Sequence, residues 1–246
     1  MIVAIEGIDA AGKNSQVAAL HSYFTKHHST RLASVRKHDF PHYETTAGEV
    51  VGRILRGETL VVPTDAIELL EAQPFRDIIT TSKRLASRDK AIIVQSVMIA
   101  DRLEWMPLLV EYAQSHDNLL LLDRYKMSGV AYGAAEGVEA NWTRMVQSCI
   151  PDADLNVLLD ISVEESIHRR PERRDHNEKD LGKLYRARGY YLREFAQADD
   201  LDPESNIVID GSKSSGEITL SIVSAIVRKM SLLRRDSEVN FQHKSS

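Results

Sequence analysis

Short apolar runs recur along the chain and alternate with segments of helical periodicity. Runs that are apolar throughout are typical of parallel strands covered on both faces. We predict five such strands, at residues 2–5, 32–35, 119–122, 155–159 and 207–209. Apolar residues at helical spacing predict helices over residues 13–28, 47–55, 94–115, 164–170, 181–198 and 217–233. This alternation predicts a three-layer α/β fold in which helices cover both faces of a parallel sheet.

Three segments fall outside this alternation. Residues from about 57 to 89 form a long stretch between recognisable elements, and we interpret them as an insertion. Residues 169–183 are densely charged, and residues 234–246 are predicted to form a polar, frayed tail. Residues 1–233 are therefore predicted to form a single domain.

Composition narrows the class of protein. Acidic residues outnumber Lys and Arg by 36 to 31 over 246 residues, and this balance argues against broad nucleic-acid binding. No stretch approaches the roughly 20 apolar residues that a membrane-spanning helix needs. The single cysteine, Cys149, excludes an intramolecular disulfide and suits a reducing compartment. Met1 leads straight into an apolar run and then an acid, so we expect no secretory signal and a cytoplasmic location.

The strongest motif directly follows the first predicted strand and opens the first predicted helix. Residues 7–15, Gly-Ile-Asp-Ala-Ala-Gly-Lys-Asn-Ser, fit G-x-x-x-x-G-K, the Walker A phosphate loop. The two glycines allow close backbone approach, and the amides at the helix N-terminus face a polyphosphate. A glycine turn without a ligand is the alternative interpretation. The strand–loop–helix context favours a nucleoside triphosphate site made by Gly7, Ile8, Asp9, Ala10, Ala11, Gly12, Lys13, Asn14 and Ser15.

The position after Lys13 usually holds a Ser or Thr that binds magnesium, but here it is Asn14, followed by Ser15. An Asn carbonyl can ligate magnesium, which also keeps several of its waters. Asp123 ends a predicted strand at the carboxyl edge, where ligands bind in α/β proteins. An ion pair with Arg124 is the other interpretation of Asp123. We predict a Mg²⁺ site that includes Asn14 and Asp123.

Several segments in this order and spacing resemble the thymidylate kinase family of P-loop nucleoside monophosphate kinases. The phosphate loop reads IEGIDAAGKNSQ, and a Phe-Pro pair follows the second strand. The segment MIADRLEWMPLL is similar to the family's F-x-A-x-R helix, and LLLLDRYKMSGVAYGAAEG is similar to D-R-[YH]-x-x-S-x-x-A-[YF]-x-x-x-x-G. The segment IVIDGSKS resembles the family's adenine loop, which adds Ser212 to the ATP site. The resemblance implies a P-loop NTPase fold, phosphorylation of dTMP by ATP with Mg²⁺, and a homodimer.

The resemblance also implies roles for individual residues in the acceptor pocket. Asp9 would accept a hydrogen bond from the 3′-hydroxyl of dTMP, although an acid there could instead cap the helix. Arg102 would bind the thymine O4, a planar recognition that suits guanidinium, and Arg124 would hold the dTMP phosphate. Packing in the core is the other interpretation of the Phe-Pro pair and of Tyr132. The implied dTMP-binding residues are Asp9, Phe40, Pro41, Met98, Arg102, Arg124, Ser128 and Tyr132.

The charged segment RRPERRDHNEKDLGK acquires a function from this resemblance. Charge alone would favour a solvated surface. Family members whose phosphate loop lacks an arginine supply catalytic arginines from a mobile lid, and this loop carries Ala10 and Ala11. The lid would span residues from about 168 to 183, and its arginines would neutralise charge on the migrating phosphoryl group. The predicted catalytic residues are Lys13, Arg124, Arg170, Arg173 and Arg174.

Departures from the family pattern leave alternatives open. Met98 replaces a stacking phenylalanine and gives a softer contact with a base. The arginine that commonly follows the Phe-Pro pair is absent. These changes allow a kinase for another deoxypyrimidine monophosphate, such as dUMP or a 5-substituted dUMP.

Two more distant functions also remain open. A deoxynucleoside kinase would need an acidic general base after the second strand, for which Glu44 or Asp39 is available. A regulatory module that binds nucleotide and hydrolyses it slowly is suggested by Asn14.

Overall fold

A parallel sheet forms the centre of the molecule. A computed structural model of the chain describes residues 1–27, 32–56, 87–115, 117–170, 180–199 and 204–244. The strands in these ranges are β1 (Ile2–Glu6), β2 (Ser34–Asp39), β3 (Asn118–Asp123), β4 (Leu155–Asp160) and β5 (Asn206–Asp210). They lie in the order β2-β3-β1-β4-β5, and every neighbouring pair is parallel.

Helices connect the strands and cover the sheet. In the described ranges they are α1 (Lys13–Lys26), α2 (Thr46–Leu55), α3 (Ser87–Glu104), α4 (Met106–Ala113), α5 (Lys126–Ala135), α6 (Ala140–Val146), α7 (Val163–Arg169), α8 (Leu181–Asp199) and α9 (Ser215–Lys244). None of the helices described is both long enough and apolar enough to cross a bilayer.

The core lies on both faces of the sheet. Side chains of successive strand residues point to opposite faces. Val3 and Leu121 belong to one buried cluster, whereas Ala4 and Leu122 belong to a second cluster. All four side chains are fully buried. The predicted three-layer α/β fold is therefore confirmed, and the uniformly apolar strands follow from burial on both faces.

Each of the five strands in the described ranges ends on an acidic residue. Because the strands are parallel, their carboxyl ends meet at one edge of the sheet, where α/β proteins bind ligands. The edge carries, in chain order, Glu6, Asp39, Asp123, Asp160 and Asp210.

The second strand lies later in the chain than predicted. The prediction followed the apolar letters at 32–35, but β2 spans Ser34–Asp39 and contains Arg36 and Lys37. The strand lies at the edge of the sheet, with β3 as its one partner among the described strands. An edge strand is partly exposed and tolerates charged side chains.

The single helix predicted over residues 94–115 was wrong. The structure has two helices, α3 and α4, separated at Trp105. Pro107 lies in the first turn of α4. Proline is favoured there because it lacks an N–H and its φ is already helical, whereas within a helix it removes a hydrogen bond.

Helix α5 carries no periodic signal, and no helix was predicted there. Eight of its ten residues are buried, so it lacks the polar face that produces a period of 3.6. It also contains Gly129 and Gly133, which weaken a sequence-based helix prediction. A Cβ added at Gly133 would lie 3.2 Å from the Gln95 side chain, so the glycine permits close packing of α5 on α3.

The final helix is longer than predicted. Helix α9 continues to Lys244, so the backbone of most of the predicted tail is helical rather than frayed. Most of the predicted insertion at 57–89 and residues 171–179 of the predicted lid lie outside the described residues.

Candidate active site

The loop between β1 and α1 has the backbone geometry of a close-approach turn. Gly7 has a φ of 144°, and a Cβ there would lie 2.7 Å from the carbonyl oxygen of Leu159 on β4. Gly12 has a φ of 93° at the start of α1, and Ala10 has a φ of 58°. Left-handed conformations at non-glycine residues are uncommon and cluster at functional sites. The loop therefore requires glycine at residue 7 for space as well as for conformation.

Lys13 lies across this loop. Its Nζ donates to the carbonyl oxygen of Ile8 at 2.8 Å, and the side chain is almost completely buried. Burial, followed by the nearby charge of Arg124, lowers the pKa of Lys13 to about 8. Asn14 and Ser15 follow on the first turn of α1 and are exposed. This arrangement offers one cation and a helix N-terminus to an anion.

Arg124, directly after β3, connects the loop to the neighbouring cleft. Its φ is 66°, a left-handed conformation. The guanidinium forms an ion pair with Asp9, donates to the carbonyl oxygen of Gly7 at 3.4 Å and lies 5.3 Å from the centre of the Tyr132 ring. Burial alone would raise the pKa of Asp9, but the charges of Arg124 and Lys13 hold that pKa below its usual range. Asp9 is therefore ionised and available as a hydrogen-bond acceptor.

A cleft with a cavity volume of about 90 Å³ opens beside the phosphate loop. All eight side chains predicted to bind the acceptor line it, namely Asp9, Phe40, Pro41, Met98, Arg102, Arg124, Ser128 and Tyr132. Elements far apart in sequence thus converge on one cavity.

Arg102 is a buried cation that lines the cleft together with the apolar side chains of Phe40 and Met98. Arg102 is 3% exposed, and its guanidinium donates to the carbonyl oxygens of Tyr125 at 2.8 Å and Met98 at 3.3 Å. Its Nε has no hydrogen-bond partner among the described residues. The guanidinium also lies 5.8 Å from the centre of the Phe40 ring. A planar group with acceptor oxygens would find both a donor and an aromatic wall here.

A buried carboxylate to which the sequence analysis assigned no role holds the first turn of α5. Glu6 accepts hydrogen bonds from the Tyr125 amide at 2.9 Å, from the Ser128 hydroxyl and from the Tyr191 hydroxyl at 3.3 Å. Burial raises the pKa of Glu6, whereas the hydrogen bond from Ser128 and the charges of Arg124 and Arg102 oppose this effect. Glu6 therefore positions Ser128 rather than contacting a ligand in the cleft. Its signal in the sequence is an acid at the end of a wholly apolar strand.

Asp101 was also missed, and it positions the Phe40-Pro41 wall. Its buried carboxylate accepts from the His42 amide at 3.2 Å and from the Thr45 hydroxyl at 3.1 Å. Burial raises the pKa of Asp101, while these two hydrogen bonds oppose the rise. The contacts join the turn after β2 to helix α3.

Lys183 is a third cation in the cleft that the sequence analysis did not identify. It forms an ion pair with Glu136, and its Nζ lies 5.8 Å from the centre of the Tyr132 ring. Both partners line the cleft, and Lys183 is 3% exposed. The remaining lining residues that were not predicted are Tyr43, Leu55, Val94 and Gln95.

The turn after β5 lies beside α1. Ser212 donates through its amide and hydroxyl to Asp210, at 2.9 and 2.6 Å, and these bonds lower the pKa of Asp210. The Gln16 side chain of α1 donates to the carbonyl oxygen of Ser215 at 3.1 Å. The predicted adenine loop and the phosphate loop therefore lie on the same side of the molecule.

The predicted lid arginines are described only at the start of the segment. Arg169 bonds Glu165 at 2.7 Å and the carbonyl oxygen of Gly211 at 2.8 Å, so it links α7 to the turn after β5. Arg170 ends α7. Arg173 and Arg174 lie outside the described residues.

Comparison with known proteins identifies the family to which the chain belongs. The thymidylate kinase family model matches residues 72–222. A probable thymidylate kinase from Pyrobaculum calidifontis is 28% identical over 237 residues, which cover 96% of this chain and all of that protein. Probable thymidylate kinase 1 from Saccharolobus solfataricus is 29% identical and covers 66% of this chain and 82% of its own length.

Solved structures show the same fold. The thymidylate kinase from Candida albicans superposes with a TM-score of 0.64 at 20% identity, covering 93% of this chain and 92% of that one. The thymidylate kinase from Ehrlichia chaffeensis superposes with a TM-score of 0.58 at 18% identity, covering 92% and 97%. The predicted P-loop kinase fold is thereby confirmed.

Proposed function

Because the chain belongs to the thymidylate kinase family of phosphotransferases, we propose that it holds ATP on residues 7–15 and dTMP in the neighbouring cleft. The reaction transfers the γ-phosphoryl group of ATP to the phosphate of dTMP and yields ADP and dTDP. The comparisons do not favour the alternative of another deoxypyrimidine monophosphate.

One observation supports the proposed assignment most directly. The phosphate loop and the cleft share the Asp9–Arg124 ion pair, because Asp9 belongs to the loop and both residues line the cleft. A donor phosphate on the loop and an acceptor phosphate at Arg124 would therefore be neighbours. Holding two reactants in this way supplies much of the rate of a phosphoryl transfer.

In this proposal the protein acts through position and charge. Lys13 and the loop amides hold the donor phosphates, and Arg124 directs the acceptor phosphate. An acceptor phosphate oxygen attacks the γ-phosphorus as the bond to ADP breaks, so no protein nucleophile is needed. Arg170, Arg173 and Arg174 neutralise the charge that develops during transfer.

The acceptor nucleoside would occupy the rest of the cleft. Arg102 retains a buried donor for a base oxygen, Phe40 and Met98 offer apolar contact, and ionised Asp9 accepts from the 3′-hydroxyl. Lys183, which pairs with Glu136, adds a cation near Tyr132 that would attract a doubly charged monophosphate.

We further propose that Mg²⁺ accompanies ATP, with Asn14 and Asp123 as its protein ligands. The residues suit this ion, because Asp123 has a buried carboxylate oxygen without a hydrogen-bond partner among the described residues, and Asn14 is exposed on the first turn of α1. Oxygen donors are the ligands that magnesium prefers. When bound, magnesium offsets the negative charge of the phosphates.

The test is ADP release by the purified chain with ATP and magnesium, with and without dTMP, and in parallel with dUMP, dCMP, dGMP and thymidine. Fast release that depends on dTMP is expected, and excess EDTA should abolish it until magnesium is restored. Faster release with dUMP than with dTMP would identify dUMP as the substrate of the same phosphoryl transfer. ATP binding without release in any reaction would overturn the proposal and favour a regulatory module.

The family resemblance also supports a homodimer and a cytoplasmic location. Sedimentation velocity at micromolar concentration tests the homodimer, and a monomer at every concentration would contradict it. Fractionation of cells that produce the full chain tests the cytoplasmic location.

A further inference from the structure

Two histidines and an aspartate converge at the carboxyl end of β2, outside the acceptor cleft. His38 and Asp39 end the strand, and His42 lies in the following turn. One potential ligand atom from each residue lies within 4.8 Å of the others. We call these three residues the imidazole cluster.

The separation between two members already matches that of ligands on a shared metal ion. The Nδ1 of His42 and the Oδ1 of Asp39 are 3.3 Å apart. Two N/O ligands bound tetrahedrally to zinc at about 2.0–2.1 Å are separated by about 3.3–3.4 Å.

The surroundings hold His38 in place and leave its ring incompletely bonded. Its ring centre is 4.0 Å from that of Trp105, 4.8 Å from that of Phe40 and 4.5 Å from that of His42. The side chain is about nine-tenths buried, and its Nε2 has no hydrogen-bond partner among the described residues. A buried ring nitrogen without a partner is costly unless another group satisfies it.

The second ring nitrogen of His42 has the kind of neighbour that metal-binding histidines use. The Oε2 of Glu44 lies 3.8 Å from the Nε2 of His42, and Glu44 is exposed and can move closer. A carboxylate on one ring nitrogen sets the tautomer that leaves the other nitrogen free to bind a metal. The His42 backbone is held by Asp101, so the turn itself is preorganised.

We propose that His38, Asp39 and His42 bind one divalent transition-metal ion of the zinc class. Imidazole and carboxylate ligands suit zinc and its neighbours, whereas magnesium prefers oxygen alone. This site differs in chemistry from the proposed magnesium site, and it does not depend on the kinase assignment. An ion here would hold Phe40 and Pro41 between its ligands and so stiffen one wall of the cleft.

The test is isothermal titration of Zn²⁺ into the full chain, first stripped with a chelator, in buffer containing millimolar Mg²⁺. The parent chain is expected to bind one zinc ion. Asp39→Asn and His42→Gln should each weaken the affinity for that ion by at least about tenfold. His27→Gln, an exposed histidine on the end of α1, should leave the ion in place. Co²⁺ should produce visible absorption bands that the same two variants remove.

The two variants alter side chains that are at least partly exposed, and circular dichroism will show that both fold. Unchanged zinc binding in both folded variants would overturn the proposal, and so would the absence of zinc binding to the parent chain. Displacement of zinc by millimolar Mg²⁺ would also overturn it, because the ion would then belong to an oxygen-ligand site. Any of these results would mean that His42 pairs only with Asp39 and Glu44 and binds no metal ion.

Discussion

The phosphate loop and the acceptor cleft lie side by side but are built differently. The loop is one continuous segment, residues 7–15, and it presents mainly backbone groups and one lysine. The cleft combines side chains from the loop, the turn after β2, helices α3 and α5, and helix α8. Among the described residues that line the cleft, Asp9 also belongs to the loop, and its ion pair with Arg124 joins the two regions.

Because of this difference, we expect substitutions in the loop and in the cleft to reduce function by different amounts. Backbone amides persist when side chains change, so function in the loop depends on its glycines and on Lys13. The cleft depends on side chains that other side chains position, as Glu6 positions Ser128 and Asp101 positions the turn after β2. Function there should be lost in smaller steps, and mostly as weaker binding of the acceptor.

The largest effect is expected at the one side chain on which the loop depends. Lys13→Met removes the charge that faces the donor phosphates, so kcat for dTMP should fall by about 10³-fold. Steady-state kinetics measures this, with Lys126→Met as the matched control because Lys126 pairs with Asp152 outside the cleft. A Lys13→Met variant with near-normal turnover would contradict the assigned role.

Replacing Arg124, the cleft residue that contacts the phosphate loop, should affect the binding of both substrates. Arg124→Met leaves Asp9 without its partner and removes the cation that directs the acceptor phosphate. We expect kcat/KM for dTMP to fall by about 10²-fold, with a smaller loss of ATP affinity. Kinetics with each substrate varied separately distinguishes this result from a defect confined to one region.

A residue confined to the cleft should affect only the acceptor. Lys183→Met should raise KM for dTMP by about tenfold and leave KM for ATP unchanged, because it removes a cation from the acceptor side alone. Glu136→Gln removes the partner but retains the ammonium group, so its KM for dTMP should not rise. An equal rise in both variants would show that the ion pair only supports the fold.

The smallest effect is a pH dependence of ATP binding by the free protein. The pKa of Lys13 is lowered to about 8, so the cation is present below that pH and is lost as the pH rises through it. ATP affinity should therefore fall severalfold between about pH 7 and pH 9. Lys13→Arg, which stays charged, should bind ATP with little change over this range. If ATP affinity declined equally in the parent protein and in Lys13→Arg, a group other than Lys13 would cause the pH dependence.

Parts of the site could be predicted from sequence because their chemistry is local. The phosphate loop needs glycines and a lysine at set spacing between a strand and a helix, and this requirement appears in consecutive letters. The ends of β1, β3, β4 and β5 were predicted to within one residue for a similar reason, since wholly apolar runs stop where the carboxyl edge begins, whereas the end of β2 was misplaced. The eight residues predicted to bind the acceptor came from motif resemblance, and their convergence on one cleft is a property of the fold.

Other features could not be predicted because they depend on contacts between distant residues. Helix α5 is buried nearly all round, so it has no polar face to show its period, and β2 is polar because it lies at an edge. Lys183 meets Glu136 across 47 positions, and Glu6 meets Ser128 across 122. The sequence alone determined the phosphate loop, because its functional groups lie on consecutive residues. The packing of helices on a parallel sheet decided which distant side chains share the cleft, because burial selects those contacts and no local pattern encodes them.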